Sequence, residues 1–353
     1  MNPHSPLIWW RGRPTRAEEV TLPFLTPALH YGLSAFEGIR AYRTERGTAV
    51  FRLDEHVERL LASARILGLQ DLPWSAGDIR EAILDTVLAN GYPECYVRPL
   101  IYLASGGWNL DIGTGTPELG VAVWEWTQYL GEEARQLGVR AHVSSFTRHH
   151  PNVTMTKAKL AGNYVNSVLA KTESRRLGFD EAIQLDPQGF VSECTGENLF
   201  VVRKGRLLCP PAAAILEGIT RDALITVACD LGYQVQEVPL SRDQLYLADE
   251  VLVCGTAAEV VGVREVDGRT IGAGGVGPIT RRLQETYHEA VRGRLPRYDW
   301  WLTYVDVAEP GAGEREHRRV ARERSEEAQL RTSAQGFSTL LRGMRAEGCA
   351  RRP

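Results

Sequence analysis

Lysine is scarce in this chain: only Lys157, Lys159, Lys171 and Lys204 occur among 41 Lys and Arg residues. Arginine can serve wherever a solvated positive charge suffices, but a guanidinium, with a pKa above about 12, cannot become a neutral amine nucleophile. Codon bias toward arginine accounts for Lys171 and Lys204. Lys157 and Lys159 lie within Thr156-Lys157-Ala158-Lys159-Leu160-Ala161-Gly162-Asn163-Tyr164, two residues apart, so in an extended segment both face one side. Downstream, Glu193 falls on a predicted strand. The glycine-bearing turns Gly218-Ile219-Thr220 and Gly255-Thr256-Ala257 are suited to offering backbone N–H groups to an anion. An amine, a carboxylate and a phosphate cup are what a pyridoxal phosphate site requires.

The elements that must position these groups are legible as patterns. Ala49 to Phe51 reads as a strand, and Asp54 caps a helix in which Val57, Leu60, Leu61 and Ala64 recur at helical spacing around Arg59. A second helix runs from Ser75 or Asp78 to Ala89 and stops at Gly91 and Pro93. Alternation from Tyr96 to Tyr102 predicts a strand with Tyr96 and Arg98 on one face, and Gly120 to Trp126 a further strand. Beyond Gly138 the pattern predicts a helix from near Gly162, carrying Tyr164, Val168 and Leu169 and ending at Gly178. A hairpin of Ala182–Leu185 and Phe190–Thr195 follows, with Val191, Glu193 and Thr195 on one face. Thr220 is the predicted cap of a helix reaching Leu231, Ser241 with Gln244 forms a capping box, and Asp249 to Cys254 is a strand.

The predicted organisation is an N-terminal domain over 1–126, a polar linker over 127–137, a larger domain over 138–305, and a tail over 306–353. Rich in Arg, Glu, Ala and Gly, the tail can bury little apolar surface against its ordering entropy, and it is expected to be loosely ordered. With 353 residues, 43% hydrophobic and 24% charged, the composition is that of a globular chain of about two domains. A net charge of −3 gives no field for nucleic acid. No apolar run reaches the roughly eighteen residues of a membrane helix. Six scattered cysteines without a CxxC pair read as reduced thiols, pointing to the cytoplasm, and without HExxH no metal is expected.

Seven ordered blocks carry a resemblance. They are His30-Tyr31-Gly32 with Phe36-Glu37-Gly38-Ile39-Arg40; Glu55-His56-Val57-Glu58-Arg59-Leu60; Tyr96-Val97-Arg98-Pro99-Leu100; Lys159 to Tyr164; Ser192-Glu193 with Gly196-Glu197-Asn198-Leu199-Phe200; Gly218-Ile219-Thr220-Arg221; and Asp249-Glu250-Val251 with Gly255-Thr256-Ala257-Ala258-Glu259. From about residue 7 to 305 the chain resembles the fold-type IV pyridoxal-phosphate enzymes, and among them the branched-chain amino acid aminotransferases. The resemblance implies an α/β (α+β) fold with a smaller N-terminal α/β domain and a larger pseudo-barrel domain. It also implies pyridoxal 5'-phosphate as cofactor, and transamination of leucine, isoleucine or valine with 2-oxoglutarate.

Residue by residue, the resemblance makes Lys159 the lysine that binds the cofactor aldehyde and shuttles the Cα proton, with Lys157 a neighbouring charge. Glu193 is implied to pair with the pyridine nitrogen, Tyr164 with the ring oxygen, and Arg59 with the phosphate, alongside Gly218, Ile219, Thr220, Gly255 and Thr256. Glu197 is expected to orient Arg59. On the substrate side Arg98 is implied to pair with the glutamate side-chain carboxylate, since a buried unpaired carboxylate costs several kcal/mol against about 0.8 kcal/mol gained per methylene. Tyr31, Phe36, Gly38, Tyr96, Trp126 and Tyr129 would shape the pocket, and the Ala257 and Ala258 amides would take the α-carboxylate. At least a homodimer is implied, with a hexamer as the larger alternative, because family members take Tyr31 and part of the loop near Gly106 to Leu110 from the neighbouring subunit. Trp108 in that loop and Leu160-Ala161 depart from the family pattern. A transaminase for D-amino acids or (R)-amines, a lyase of the aminodeoxychorismate type and a cofactor-storing protein are the competing readings.

Overall fold

A computed structural model describes residues 7–69, 71–106, 108, 110–126 and 131–305. The predicted tail at 306–353 and linker positions 127–130, Tyr129 among them, lie outside the described residues. The first half of the chain forms β1 (Leu7–Trp10), β2 (Arg13–Arg16), α1 (Pro27–Tyr31), β3 (Ser34–Phe36), β4 (Ile39–Thr44), β5 (Gly47–Phe51), α2 (Leu53–Leu67), α3 (Ala76–Asn90), β6 (Cys95–Ser105) and β7 (Thr116–Glu125). The second half opens with α4 (Gly131–Leu137), β8 (Val139–Val143), α5 (Tyr164–Arg176), β9 (Glu181–Leu185), β10 (Val191–Cys194), β11 (Asn198–Arg203) and β12 (Arg206–Cys209). It continues with α6 (Ile219–Asp230), β13 (Val235–Glu237), α7 (Arg242–Tyr246), β14 (Glu250–Gly255), β15 (Glu259–Val266), β16 (Arg269–Thr270), α8 (Pro278–Val291) and β17 (Leu302–Tyr304).

Two sheets result. The first has the order β17-β5-β4-β6-β7-β1-β2 with β3 beside β6, every pair antiparallel. The second has the order β10-β9-β8-β15-β14-β11-β12-β13 with β16 on β15. Its β8–β9, β8–β15 and β12–β13 pairs are parallel, and the crossovers that β8–β9 and β12–β13 demand are supplied by α5 and α6. The chain end returns to the first sheet, where β17 pairs with β5. Tyr42, Ala49 and Phe51 share one buried cluster with residues of α6, β14 and α8, so apolar burial ties the two sheets together.

Local chemistry explains where the helices start. Leu53, Val57, Leu60 and Ala64 of α2 are buried, as their spacing requires. Its cap, however, is Arg52 in the left-handed region (φ 49°), not Asp54, which lies in the first turn and pairs with Arg80 at 3.0 Å. The helix α3 starts after Ser75, one of the two predicted starts, which forms a capping box with Asp78, and Gly91 at φ 66° ends it as expected. Gly218, not Thr220, caps α6, because the helical conformation already begins at Ile219. In α5 Val168 and Leu169 are exposed, and the small residues Ser167, Ala170 and Ser174 are buried instead. A bulge between Val191 and Glu193 interrupts the expected alternation of β10, and all four of its residues are buried. No described helix is long and apolar enough to cross a membrane.

Candidate active site

Lys159 is held from both sides by its backbone. Its N–H donates to Ser63 Oγ of α2 at 2.9 Å, and its carbonyl accepts from Phe36 N of β3 at 3.0 Å. Close passage of the next residues requires glycine: Gly32 ends α1 at φ 67°, and a Cβ there would stand 2.9 Å from Gly162 Cα. The Lys159 Nζ donates to Tyr164 Oη at 2.7 Å and lies 5.2 Å from the centre of the Phe36 ring. Lys157 does not share that side. Residues 156–157 run through a turn, so the period of two fails, and Lys157 pairs at 2.5 Å with Glu217.

Around Lys159 opens a cleft with about 480 Å³ of empty space, its open mouth included. Arg59, Tyr164, Glu193, Glu197, Gly218, Ile219, Thr220, Gly255 and Thr256 all line it. One part is built for an anion. The α6 N-terminus has no side-chain cap, leaving first-turn amides without intrahelical partners. Gly218 is obligatory, since a Cβ there would stand 2.0 Å from Asn198 Oδ1. Arg59 reaches this end with Nε on Glu37 Oε1 (2.6 Å), Nη2 on Glu37 Oε2 (2.8 Å) and Nη1 on the Glu217 carbonyl (2.8 Å). The carboxylate on the Nε edge leaves Nη hydrogens for a phosphate. Glu37 is fully buried and also bonds His56 Nδ1 at 2.8 Å. Burial alone would raise its pKa, but the Arg59 guanidinium and His56 outweigh that and hold the carboxyl far below the usual carboxylate range.

Glu37 therefore takes the role expected of Glu197. Glu197 accepts from Gly196 N at 3.1 Å and sits near Glu181, which is ion-paired to Lys171. Burial, and then the Glu181 charge, push the Glu197 carboxyl up. Arg59 and Glu197 line the same cleft without bonding, because Glu37 already saturates the guanidinium edge that Glu197 would use.

Elsewhere in the cleft, Glu193 accepts from Arg148 Nε at 2.6 Å, Leu216 N at 3.1 Å and Asn198 Nδ2 at 3.3 Å. Beside Lys159, on the Phe36 side, lies an aromatic box. Tyr96 packs on Trp124 at 4.9 Å and Trp126 at 5.0 Å, and Phe36 on Tyr164 at 5.0 Å. Arg98 lies over Phe36 at 4.6 Å and donates to Tyr96 Oη at 3.3 Å, sharing its face as the strand period predicts. Its buried Nε has no partner among the described residues. Gly38 leaves the room that the Tyr96 hydroxyl occupies, 1.8 Å from where a Cβ would stand. Ala257 and Ala258 follow Thr256 in the turn before β15. Tyr31 is not brought into the cleft of its own chain; it is 41% exposed, with its ring 5.8 Å from Trp108.

A family model for class IV aminotransferases matches residues 34–266. The chain is 44% identical over 299 residues to a branched-chain-amino-acid aminotransferase of Pseudomonas aeruginosa, covering 85% of this chain and 97% of that one. Its fold is similar to the crystal structure of the Escherichia coli branched-chain amino acid aminotransferase (TM-score 0.82, 42% identity, 85% and 99% covered). It is also similar to the branched-chain amino acid aminotransferase from Thermobaculum terrenum in its PLP-form, the holo-form (TM-score 0.81, 36% identity, 87% and 100% covered).

The chain belongs to the class IV aminotransferases. The donor set suits the cofactor of that family: an amine, a buried carboxylate, a guanidinium aimed by Glu37 and an uncapped helix start surround one cleft, and the Cβ of any residue at 218 would clash there. Four participants escaped the sequence reading. Glu37 and Asn198 stand inside the recognised blocks, but block membership assigns no partner. Trp124 could have been found from its period-two relation to Trp126. Arg148 had no signal, being one arginine among many.

Proposed function

We propose that this aminotransferase exchanges the amino group of leucine, isoleucine or valine with 2-oxoglutarate, giving the branched-chain 2-oxo acid and L-glutamate. The observation that carries the reading is Arg98: a half-buried cation, its buried Nε without a partner among the described residues, in an aromatic box beside Lys159. Apolar walls suit the branched side chain, and the cation suits the glutamate carboxylate in the same pocket.

When bound, pyridoxal 5'-phosphate supplies an aldehyde that takes the amino group and a ring that accepts the electron pair of the Cα–H bond. Arg59 and the amides of Ile219, Thr220 and Thr256, with Gly218 and Gly255 keeping the backbone close, are the proposed phosphate holders. Lys159 Nζ takes the substrate Cα proton and returns it, and Tyr164 Oη, 2.7 Å away, steadies the amine between transfers. Glu193 pairs with the ring nitrogen, while Glu197 adds a buried wall. Phe36, Tyr96 and Trp126 exclude water, Gly38 admits the Tyr96 hydroxyl, and the Ala257 and Ala258 amides hold the α-carboxylate.

The active unit in this reading is a homodimer, whose second copy covers exposed Phe24, Leu25, Leu29 and Leu110 and brings Tyr31 to the neighbouring pocket. We assign the two domains to 1–126 and 138–305, and the protein to the cytoplasm on its scattered cysteines. Adding leucine to the yellow holoprotein should bleach it, and 2-oxoglutarate should restore the colour. Lys159→Ala should abolish this cycle, whereas Lys157→Ala, which removes the bonds to Glu217 and to the Ala212 carbonyl, should keep it. Bleaching by D-alanine alone, or a turning-over Lys159→Ala, refutes the reading.

A further inference from the structure

Glu193 is a buried carboxylate whose hydrogen-bond partners among the described residues are all donors: Arg148 Nε on Oε1, and Leu216 N and Asn198 Nδ2 on Oε2. An ionised carboxylate only accepts, whereas a protonated one must place its own O–H. Burial works the other way, raising the Glu193 pKa, and Arg148 is foremost among the groups that oppose it. Arg148 is itself fixed. Its backbone N–H donates to the Leu185 carbonyl at 2.7 Å, and Nη1 faces His149 Nδ1 at 3.3 Å and Asn166 Oδ1 at 3.5 Å. Asn166 is held in turn by Gln184 Nε2 at 2.8 Å and by the Thr147 carbonyl at 2.9 Å. His149, drawn down to about 4 by burial and by Arg148, brings no second charge at neutral pH.

We infer that Arg148 is a positioning residue for the cofactor's ring nitrogen: its ion pair with Oε1 keeps Glu193 ionised, so the proton shared by Glu193 and that nitrogen rests on the nitrogen. This rests on the proposed pairing of Glu193 with the ring. The proton count does not change; only its seat does. Without the guanidinium, the neutral arrangement with the proton on Glu193 gains weight by about 10- to 100-fold, the scale of one charge-assisted hydrogen bond.

The test is 15N NMR of holoenzyme reconstituted with pyridoxal phosphate labelled at the ring nitrogen, whose shift separates the protonated from the neutral ring. Wild type should show the protonated shift. Arg148→Gln should move toward the neutral value, and Arg148→Lys, which keeps the charge, should stay near wild type. If Arg148→Gln keeps the wild-type shift while Glu193→Gln loses it, the inference is overturned and the Glu193 assignment stands. If Glu193→Gln also keeps it, the assignment itself fails. A loss in Arg148→Lys as large as in Glu193→Gln would equally overturn the charge argument, and needs no folded Arg148→Gln.

Discussion

Replacing Arg98 with methionine keeps an unbranched chain and removes the charge. The guanidinium lies 4.6 Å from the Phe36 ring centre, 5.3 Å from Tyr96 and 5.7 Å from Trp124, and its one protein hydrogen bond among the described residues is to Tyr96 Oη at 3.3 Å. A glutamate side chain entering this box would be left with a buried, unpaired carboxylate in the variant, a loss of about 3–5 kcal/mol, or roughly 10²- to 10⁴-fold in kcat/KM. Leucine needs no cation there. Methionine returns comparable apolar contact and removes an orphaned Nε, so the change for leucine should stay within about tenfold. The assay is the second-order rate at which L-glutamate or L-leucine bleaches the holoenzyme, each half-reaction measured alone. Arg98→Lys should fall between wild type and Arg98→Met for glutamate. Equal losses for the two donors in Arg98→Met would refute the carboxylate role and leave Arg98 as packing.

Two further outcomes follow from the buried acids. Glu37→Gln leaves the Arg59 guanidinium without its counter-charge; it should cost about 3–5 kcal/mol in denaturant unfolding at pH 7 and weaken cofactor binding measured by fluorescence titration. Because the folded pKa of Glu37 is depressed, its stabilisation is present above the ordinary carboxylate range and lost as pH falls, so the wild-type advantage should shrink below about pH 4.5. Glu197 has the opposite sign: burial and Glu181 push it up to about 8, so the folded state holds the extra proton and stability declines as pH rises from about 4.5 toward 8. Glu197→Gln should flatten that decline in the melting temperature of the apoprotein; an unchanged slope would assign the decline elsewhere.

Much of this protein is written locally. Helical spacing in α2, the Ser75/Asp78 box, the shared face of Tyr96 and Arg98 and the glycine turns at 218 and 255 depend on neighbours a few residues away, and each appears in the structure. The scarcity of lysine likewise narrows the reactive amine to Lys157 and Lys159, because a guanidinium cannot supply a neutral amine, and the resemblance selects Lys159. Partner choice among the charged residues is different. Arg59 finds Glu37 rather than Glu197, Arg148 finds Glu193 across 45 positions, and Lys157 turns away to Glu217. In a chain with 41 basic and 44 acidic side chains no local pattern selects among such pairs. Only the packing of two sheets, which decides which charges leave water together and must therefore be matched, could choose them.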